Sequence, residues 1–431
     1  MALKLQTKAL RMTDDEQQQR RSNILGIAHK PGRRASRVTA LDHWLVKKML
    51  SAVGRPAISV VLWDGTEITT PEAPVSVLTI HDRQALFFLL LDPEYYFGDL
   101  YSSGRVEVLG DFIGFLETVY LAIHQCASKS PWHKLMAWRH HPRANTLYGS
   151  RGNITHHYDL SNDFYKLWLD REAMQYTCAY FPQEDLSLEE AQVAKLHHIC
   201  RKLQLKPGET VVEAGCGWGG LARFMAKHYG VKVRAFNISH EQIVFARSKA
   251  LEQGLADRVE YVEDDYRNIQ GQYDVFVSVG MLEHVGAQHF HNLGNVIARV
   301  LKPSGRGLIH SIGRNSPGLM NAWIEKRIFP GAYPPSLREM MDIFEPHELS
   351  VLDVENLRLH YAKTLEHWLE RFDASSDQVR NQFDEAFVRA WRLYLAGSMA
   401  AFTTGELQLF QVVFNQASSN DVPWSRAHLY Q

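Results

Sequence analysis

The first chemical signal lies in Val211-Val212-Glu213-Ala214-Gly215-Cys216-Gly217-Trp218-Gly219-Gly220. An apolar run that ends in a glycine-rich turn ahead of a helix brings bare backbone and free helix N–H groups against a ligand. Gly215, Gly217 and Gly220 also spell G-x-G-x-x-G, so a dinucleotide must be weighed. A dinucleotide site expects an acidic residue near the end of the second strand to hold the ribose. Here that strand ends Ala235-Phe236-Asn237, without a carboxylate. Glu213, two places before the first glycine, suits S-adenosylmethionine instead. That molecule has no pyrophosphate and carries an ammonium and a sulfonium, which favour carboxylates and backbone carbonyls. Asp264-Asp265, at the end of a third strand, could accept from its adenine amino group. The residues rank S-adenosylmethionine first, NAD second and a merely structural glycine turn third.

Glu283 and His310 lie at or just past the C-terminal ends of strands, where α/β ligand sites form. Glu283 with His284, His289 and His291 gathers metal-ligand types, but the spacing matches no zinc pattern and suits helix-surface histidines. His197-His198 with Cys200 reads as incidental, and no metal is expected. Cys178 alone reads as a small buried hydrophobe. Tyr361 alone reads as an ordinary core or surface tyrosine.

Strand and helix signals alternate from about Thr155 onward and must position these residues. A helix over Leu188–Leu203, strand Thr210–Ala214, helix Leu221–His228, strand Val231–Phe236 and helix Glu241–Gln253 come first. Strands Val259–Val262, Tyr273–Val279 and Gly307–Ile312 follow. The alternation predicts a doubly wound, mostly parallel α/β sheet. The tail from about Gly331 reads as helical and rich in aromatics. Nearer the start, Ile58–Leu62 and Val75–Ile80 read as strands around an Asp64-Gly65 turn, and Asp111–Ile123 as a helix. The expected organisation is a basic N-terminal segment (1–55), a small α+β domain (56–127), a basic linker (128–154) and a catalytic domain (155–431).

A length of 431 residues makes two domains the default. Hydrophobic residues at 45% and charged residues at 22% are ordinary for a soluble globular chain. A net charge of -1 gives no global field for nucleic acid. Four cysteines without a C-x-x-C pair fit a reducing compartment. No signal-peptide pattern is read at the start. The most apolar run, Ala85–Leu91, is far short of the roughly 20 residues of a spanning helix, so any membrane work is done from the surface. Thr118–Tyr158 holds no acidic residue but includes Lys129, Lys134, Arg139, Arg143, Arg151, Trp132 and Trp138. Basic residues with tryptophan suit an anionic membrane interface, and a solvated linker is the plain alternative.

The segment His157-Tyr158-Asp159-Leu160-Ser161-Asn162-Asp163-Phe164-Tyr165 closely resembles the opening motif of the cyclopropane-fatty-acid synthase family, which includes the mycolic-acid cyclopropane synthases. Met174-Gln175-Tyr176-Thr177-Cys178-Ala179-Tyr180-Phe181 matches its next motif, with Thr177 where serine is more usual. The glycine turn, Ser278–Gly286, Leu308–Gly313, Ile328–Gly331 and Tyr361 ahead of Thr364-Leu365, Trp368 and Glu370–Phe372 follow in the family's order. These motifs cover about Thr155 to Phe414 and are far more specific than any glycine pattern. The N-terminal unit resembles the family's smaller, lipid-handling domain more weakly.

The resemblance implies a Rossmann-like, S-adenosylmethionine-dependent methyltransferase domain and a cyclopropane-fatty-acyl-phospholipid synthase activity. A methylene unit would pass from S-adenosyl-L-methionine to the cis double bond of an unsaturated phospholipid acyl chain, with bound bicarbonate as base. The bicarbonate pocket would be Cys178, Glu283, His310, Ile312 and Tyr361. Tyr176, Thr177, Gly215, Gly217, Gln242 and Asp265 would line the cosubstrate site beside Glu213. The implied partner is membrane phospholipid, met peripherally at the inner face of the membrane from the cytoplasm. A homodimer is compatible with this, and no nucleic acid is expected. An isolated alkene needs a strong electrophile, and methyl transfer to it leaves a carbocation that water would quench, so a dry pocket is required. Tyr158, Tyr176, Tyr180 and Phe181 offer ring faces to such a charge.

Three other readings stay open. A sibling enzyme could resolve the same cation into a methylene or methyl branch. A small-molecule methyltransferase would not need the Tyr-Thr-Cys-Ala-Tyr motif or the N-terminal unit. A lipid-binding protein with an inactive transferase domain would not need the complete pocket.

Overall fold

A computed structural model describes residues 25–27, 37–70, 73–127 and 160–430. The expected basic linker, much of the basic N-terminal segment and Tyr158 lie outside these residues. The chain forms two compact units, one of which holds the described residues before 128 together with Asn321–Ile328 and Leu369–Ala400. The units are therefore not a linear cut of the sequence.

The smaller unit contains α1 (Ala40–Ala52), β1 (Ile58–Val61), β2 (Glu67–Thr69), β3 (Ser76–Ile80), α2 (Arg83–Leu91), α3 (Pro93–Ser102), β4 (Val106–Gly110) and α4 (Phe112–Ala127). Its sheet has the order β2-β1-β3-β4, with β1 and β3 parallel. Local chemistry starts its helices. Thr39 and Asp42 form a reciprocal capping box on α1, and Asp82 accepts from Ala85 N at 2.9 Å to cap α2. Asp82 also accepts from Arg105 Nε at 2.9 Å and Nη2 at 2.6 Å. The C-terminal segments join this unit through Arg327, which pairs with Asp99 at 2.6 Å, and Arg389, which donates to Tyr101 O at 2.6 Å.

The larger unit carries α5 (Leu188–Lys202), β5 (Thr210–Ala214), α6 (Gly220–Tyr229), β6 (Lys232–Asn237), α7 (His240–Glu252), β7 (Val259–Glu263), β8 (Tyr273–Val279), α8 (Phe290–Val300), β9 (Leu301–Gly313), β10 (Leu349–Asn356) and β11 (Gln408–Gln416). Its seven strands run β10-β11-β9-β8-β5-β6-β7. β5, β6, β7, β8 and β9 are parallel neighbours, and β11 is antiparallel to both β9 and β10. Buried apolar side chains on one face meet Leu196, Ile199, Leu221, Met225 and Ile243 of α5, α6 and α7. On the other face they meet Phe290, Leu293, Ile297, Ile343 and Phe344. Covered on both faces, the sheet is the doubly wound architecture expected.

The tail corrects the sequence reading: β10 and β11 are strands, not helix. Gln408, Gln411 and Asn415 fall three and four residues apart, the spacing of a polar stripe on a helix. All three are buried beside Leu409, Val412 and Phe414 in a strand covered on both sides, where period-2 alternation vanishes. β9 likewise begins at Leu301 rather than Gly307.

Candidate active site

β5, β6, β7 and β8 end at one cavity. All seven residues expected at the cosubstrate site line it: Tyr176, Thr177, Glu213, Gly215, Gly217, Gln242 and Asp265. It opens beside the boundary of β5 and β8, where strand order reverses along the chain and α/β sheets leave a crevice. Two glycines make its walls possible. Gly215 has φ +82°, and a Cβ there would lie 2.8 Å from Met281 Cβ. Gly280 has φ +71°, and a Cβ there would lie 2.7 Å from Thr177 Cγ2.

Glu213 is 2% exposed, and its Oε2 has no hydrogen-bond partner among the described residues. Burial pushes its carboxyl up to about 8, against the opposing pull of Lys195 and Arg223. At the end of β6, Asn237 Nδ2 donates to Gln242 Oε1 at 2.7 Å and to Gly217 O at 3.2 Å, so an amide pair stands where a dinucleotide site would carry an acid. Asp265 is paired with Arg267 at 2.8 and 3.0 Å, and its N–H donates to Asp264 Oδ1 at 2.7 Å. His284 also lines the cavity, and burial lowers it to about 4, leaving it neutral. A cavity with an unpartnered carboxyl oxygen beside bare glycine backbone fits a ligand that carries positive charge and no phosphate.

The five residues expected to hold the base do not line that cavity; Cys178 and Glu283 are chain neighbours of the lining residues Thr177 and His284. Glu283 Oε1 accepts from Ile312 N at 2.6 Å, so the backbone N–H of Ile312 is engaged by Glu283 itself. Glu283 Oε2 is buried without a partner among the described residues, and burial pushes this carboxyl up to about 7. His310 O accepts from Gly280 N at 2.9 Å, and its Nδ1 meets Gln411 Nε2 at 3.1 Å. Burial holds His310 well below the usual imidazole range, hence neutral. Cys178 Sγ donates to Ala179 O at 3.1 Å and burial pushes the thiol up, which makes it a wall and not a thiolate. Cys178 and His310 share the fields of Lys195 and Glu355. Tyr361, on α9 (Arg358–Ala374), stacks on Phe402 with centroids 4.5 Å apart and meets Trp368 edge-on at 5.9 Å.

Several functional candidates escaped the sequence. The stretch from Gln175 to Phe181 has no regular structure, and buried side chains hold it. Gln192 donates to Thr177 O at 2.9 Å, Lys195 to Thr177 Oγ1 at 3.1 Å, Ala179 N to Thr364 Oγ1 at 3.0 Å and Phe181 N to His360 Nδ1 at 3.0 Å. The legible signal was Gln192 and Lys195 on the apolar face of a helix that starts at a Ser187–Glu190 capping box. The aromatic cluster also differs from expectation. Tyr176 meets Tyr165 at 5.5 Å, Trp168 at 5.1 Å and Trp368 at 5.4 Å. Tyr165 meets Trp218 of the glycine turn at 4.9 Å. Tyr180 instead stacks on His198 at 4.2 Å, and Phe181 on His367 at 5.6 Å.

A family model described as mycolic acid cyclopropane synthetase matches residues 147–412. A Pseudomonas putida protein named "Probable fatty acid methyltransferase" is 34% identical over 384 residues, 86% of this chain and 95% of that protein. The cyclopropane-fatty-acyl-phospholipid synthase of Escherichia coli (strain K12) is 42% identical over 271 residues, 63% of this chain and 69% of that enzyme. The crystal structure of mycolic acid cyclopropane synthase CmaA1 complexed with SAH and CTAB aligns with TM-score 0.58 at 29% identity, covering 61% of this chain and 97% of that one.

Proposed function

The chain belongs to the mycolic acid cyclopropane synthetase family, and from that premise we propose that it closes a cyclopropane ring on the cis double bond of a phospholipid acyl chain, with bicarbonate as base. The carrying observation is Glu283: a buried carboxyl with one oxygen fixed by Ile312 N–H and the other unpartnered, two residues beyond the Met281 wall of the cosubstrate cavity.

S-adenosylmethionine, when bound, supplies the sulfonium methyl as electrophile. Glu213, Gln242 and the backbone at Gly215 and Gly217 would hold it. Tyr176, Tyr165, Trp168 and Trp368 exclude water and turn ring faces and edges toward one another, an environment that tolerates positive charge on the acyl chain. Glu283 and neutral His310 fit bicarbonate as the base. The unpartnered Oε2 can accept the hydroxyl of bicarbonate, and a carboxyl near 7 can take up a proton at working pH. Cys178, Ile312 and Tyr361 complete the wall.

Peripheral contact with an anionic bilayer is part of this reading. On α1, Leu41 and Trp44 are 58% and 54% exposed, with Lys48 over the Trp44 ring at 5.7 Å. Among the described residues no helix is long and apolar enough to cross a membrane.

Purified protein, unsaturated phospholipid vesicles and labelled S-adenosylmethionine test the proposal. Ring methylene protons far upfield in proton NMR, and a product that resists mild hydrogenation, are expected. Vinylidene signals without ring signals would move the chain to the second reading, a methylene-branching sibling. The observation behind a branching alternative, methylene or methyl, is that the Pseudomonas putida relative, matched over 95% of its length, is named a probable fatty acid methyltransferase.

A further inference from the structure

A fully buried ammonium needs a reason. Lys195 on α5 is 0% exposed, and Nζ donates to Gln175 Oε1 and to Thr177 Oγ1, both cavity-lining residues. Neither acceptor is a carboxylate, so the acids that can balance its charge at longer range are Asp170 and Glu213. Asp170 is already committed, accepting from Ala173 N at 2.8 Å and Gln175 N at 2.6 Å. Glu213 is the uncommitted one, with Oε2 lacking any partner among the described residues. The other charged group facing Glu213 is Arg223 on α6, whose guanidinium is tied to Trp218 O at 2.8 Å and Tyr261 O–H at 3.5 Å. Cys216, in the turn, is held neutral by burial.

We propose that Lys195 is a positioning residue for the cosubstrate: from behind the cavity wall it favours the ionised form of Glu213 and pins Thr177, so that the ligand's cationic amino-acid end can draw out a carboxylate there. This rests on the reading of the cavity as the S-adenosylmethionine site. Burial pushes Glu213 up to about 8 and Lys195 down to about 8, and each supports the other's charge. A cationic ligand selects the carboxylate form. Affinity therefore falls as pH drops below the Glu213 value, approaching about tenfold per pH unit. Removing the ammonium raises Glu213 further and moves that fall to higher pH.

The test is calorimetric titration of S-adenosylhomocysteine into the full chain and its Lys195→Met variant from about pH 6.5 to 9.5, with 5′-methylthioadenosine, which lacks the amino-acid end, as control ligand. Lys195→Met should weaken S-adenosylhomocysteine about tenfold at pH 7.5, recover part of the loss at high pH, and leave methylthioadenosine nearly unchanged. In a Glu213→Gln background the same change should add little. Wild-type affinity and pH profile in Lys195→Met, or equal loss for both ligands, would overturn the inference. Should that variant not fold, the wild type decides, because an affinity flat across this range overturns it equally. A wild type that binds no S-adenosylhomocysteine sinks the reading of the cavity, and this inference with it.

Discussion

Glu283→Gln is expected to make the protein more stable above pH 7 while lowering its turnover. Burial carries the Glu283 carboxyl from the ordinary 4.5 to about 7, and the bond from Ile312 N at 2.6 Å offsets only part of that desolvation. A raised carboxyl favours the folded state only when protonated. Below pH 4.5 both states hold the proton and the residue costs nothing. Stability is then lost as pH rises through about 7, where the full cost is about 3 kcal/mol at roughly 1.4 kcal/mol per pH unit. Glutamine keeps an acceptor for Ile312 N and carries no charge. Its amide nitrogen replaces an oxygen that has no partner among the described residues, which returns about 1 kcal/mol of the gain. Denaturant unfolding of both proteins should show the variant ahead by about 2 kcal/mol at pH 8.5 and level or slightly behind at pH 5. A variant that is no more stable at pH 8.5, or a difference independent of pH, would refute the reasoning. In parallel, turnover should fall far more than S-adenosylhomocysteine affinity. Loss of both in step would show that Glu283 belongs to the cosubstrate site.

Gly215→Ala must fit a Cβ 2.8 Å from Met281 Cβ at φ +82°. It should lose S-adenosylhomocysteine affinity by calorimetry and about 1 to 3 kcal/mol of stability in denaturant unfolding. Calorimetry of the wild type should give binding of S-adenosylhomocysteine and none of NAD, since Asn237 and Gln242 pair as amides at the end of β6. Sedimentation with anionic vesicles should weaken steeply as salt rises, each basic residue near the surface being worth on the order of 1 kcal/mol, and Trp44→Ala should weaken it further. Equal binding to neutral vesicles would count against the membrane contact.

Regular elements whose apolar period matched their surroundings were legible. β5 and β8 fall where the sequence puts them, because short β-branched runs between turn residues have no competing pattern. β11 was not, because its three buried amides imitate a helical stripe. One of them, Gln411, meets His310 Nδ1 at 3.1 Å, so the misread strand also carries part of the candidate site. Tyr361 and Cys178 were legible only through a resemblance, since a lone tyrosine and a lone buried thiol carry no spacing signal.

Glu213, the glycines and the missing acid at Asn237 determined by themselves which class of ligand the turn suits, because backbone clearance and local charge are properties of neighbours in the chain. The motif order placed the family. Only the tertiary structure decided that Glu283 binds Ile312 N–H, that Tyr176 packs among Tyr165, Trp168 and Trp368, and that buried Lys195 donates to Gln175 and Thr177. Each depends on desolvation and on contact between residues far apart in sequence. Periodicity reports which face of an element is covered; the partner that covers it is set when sheet and helices close over one another.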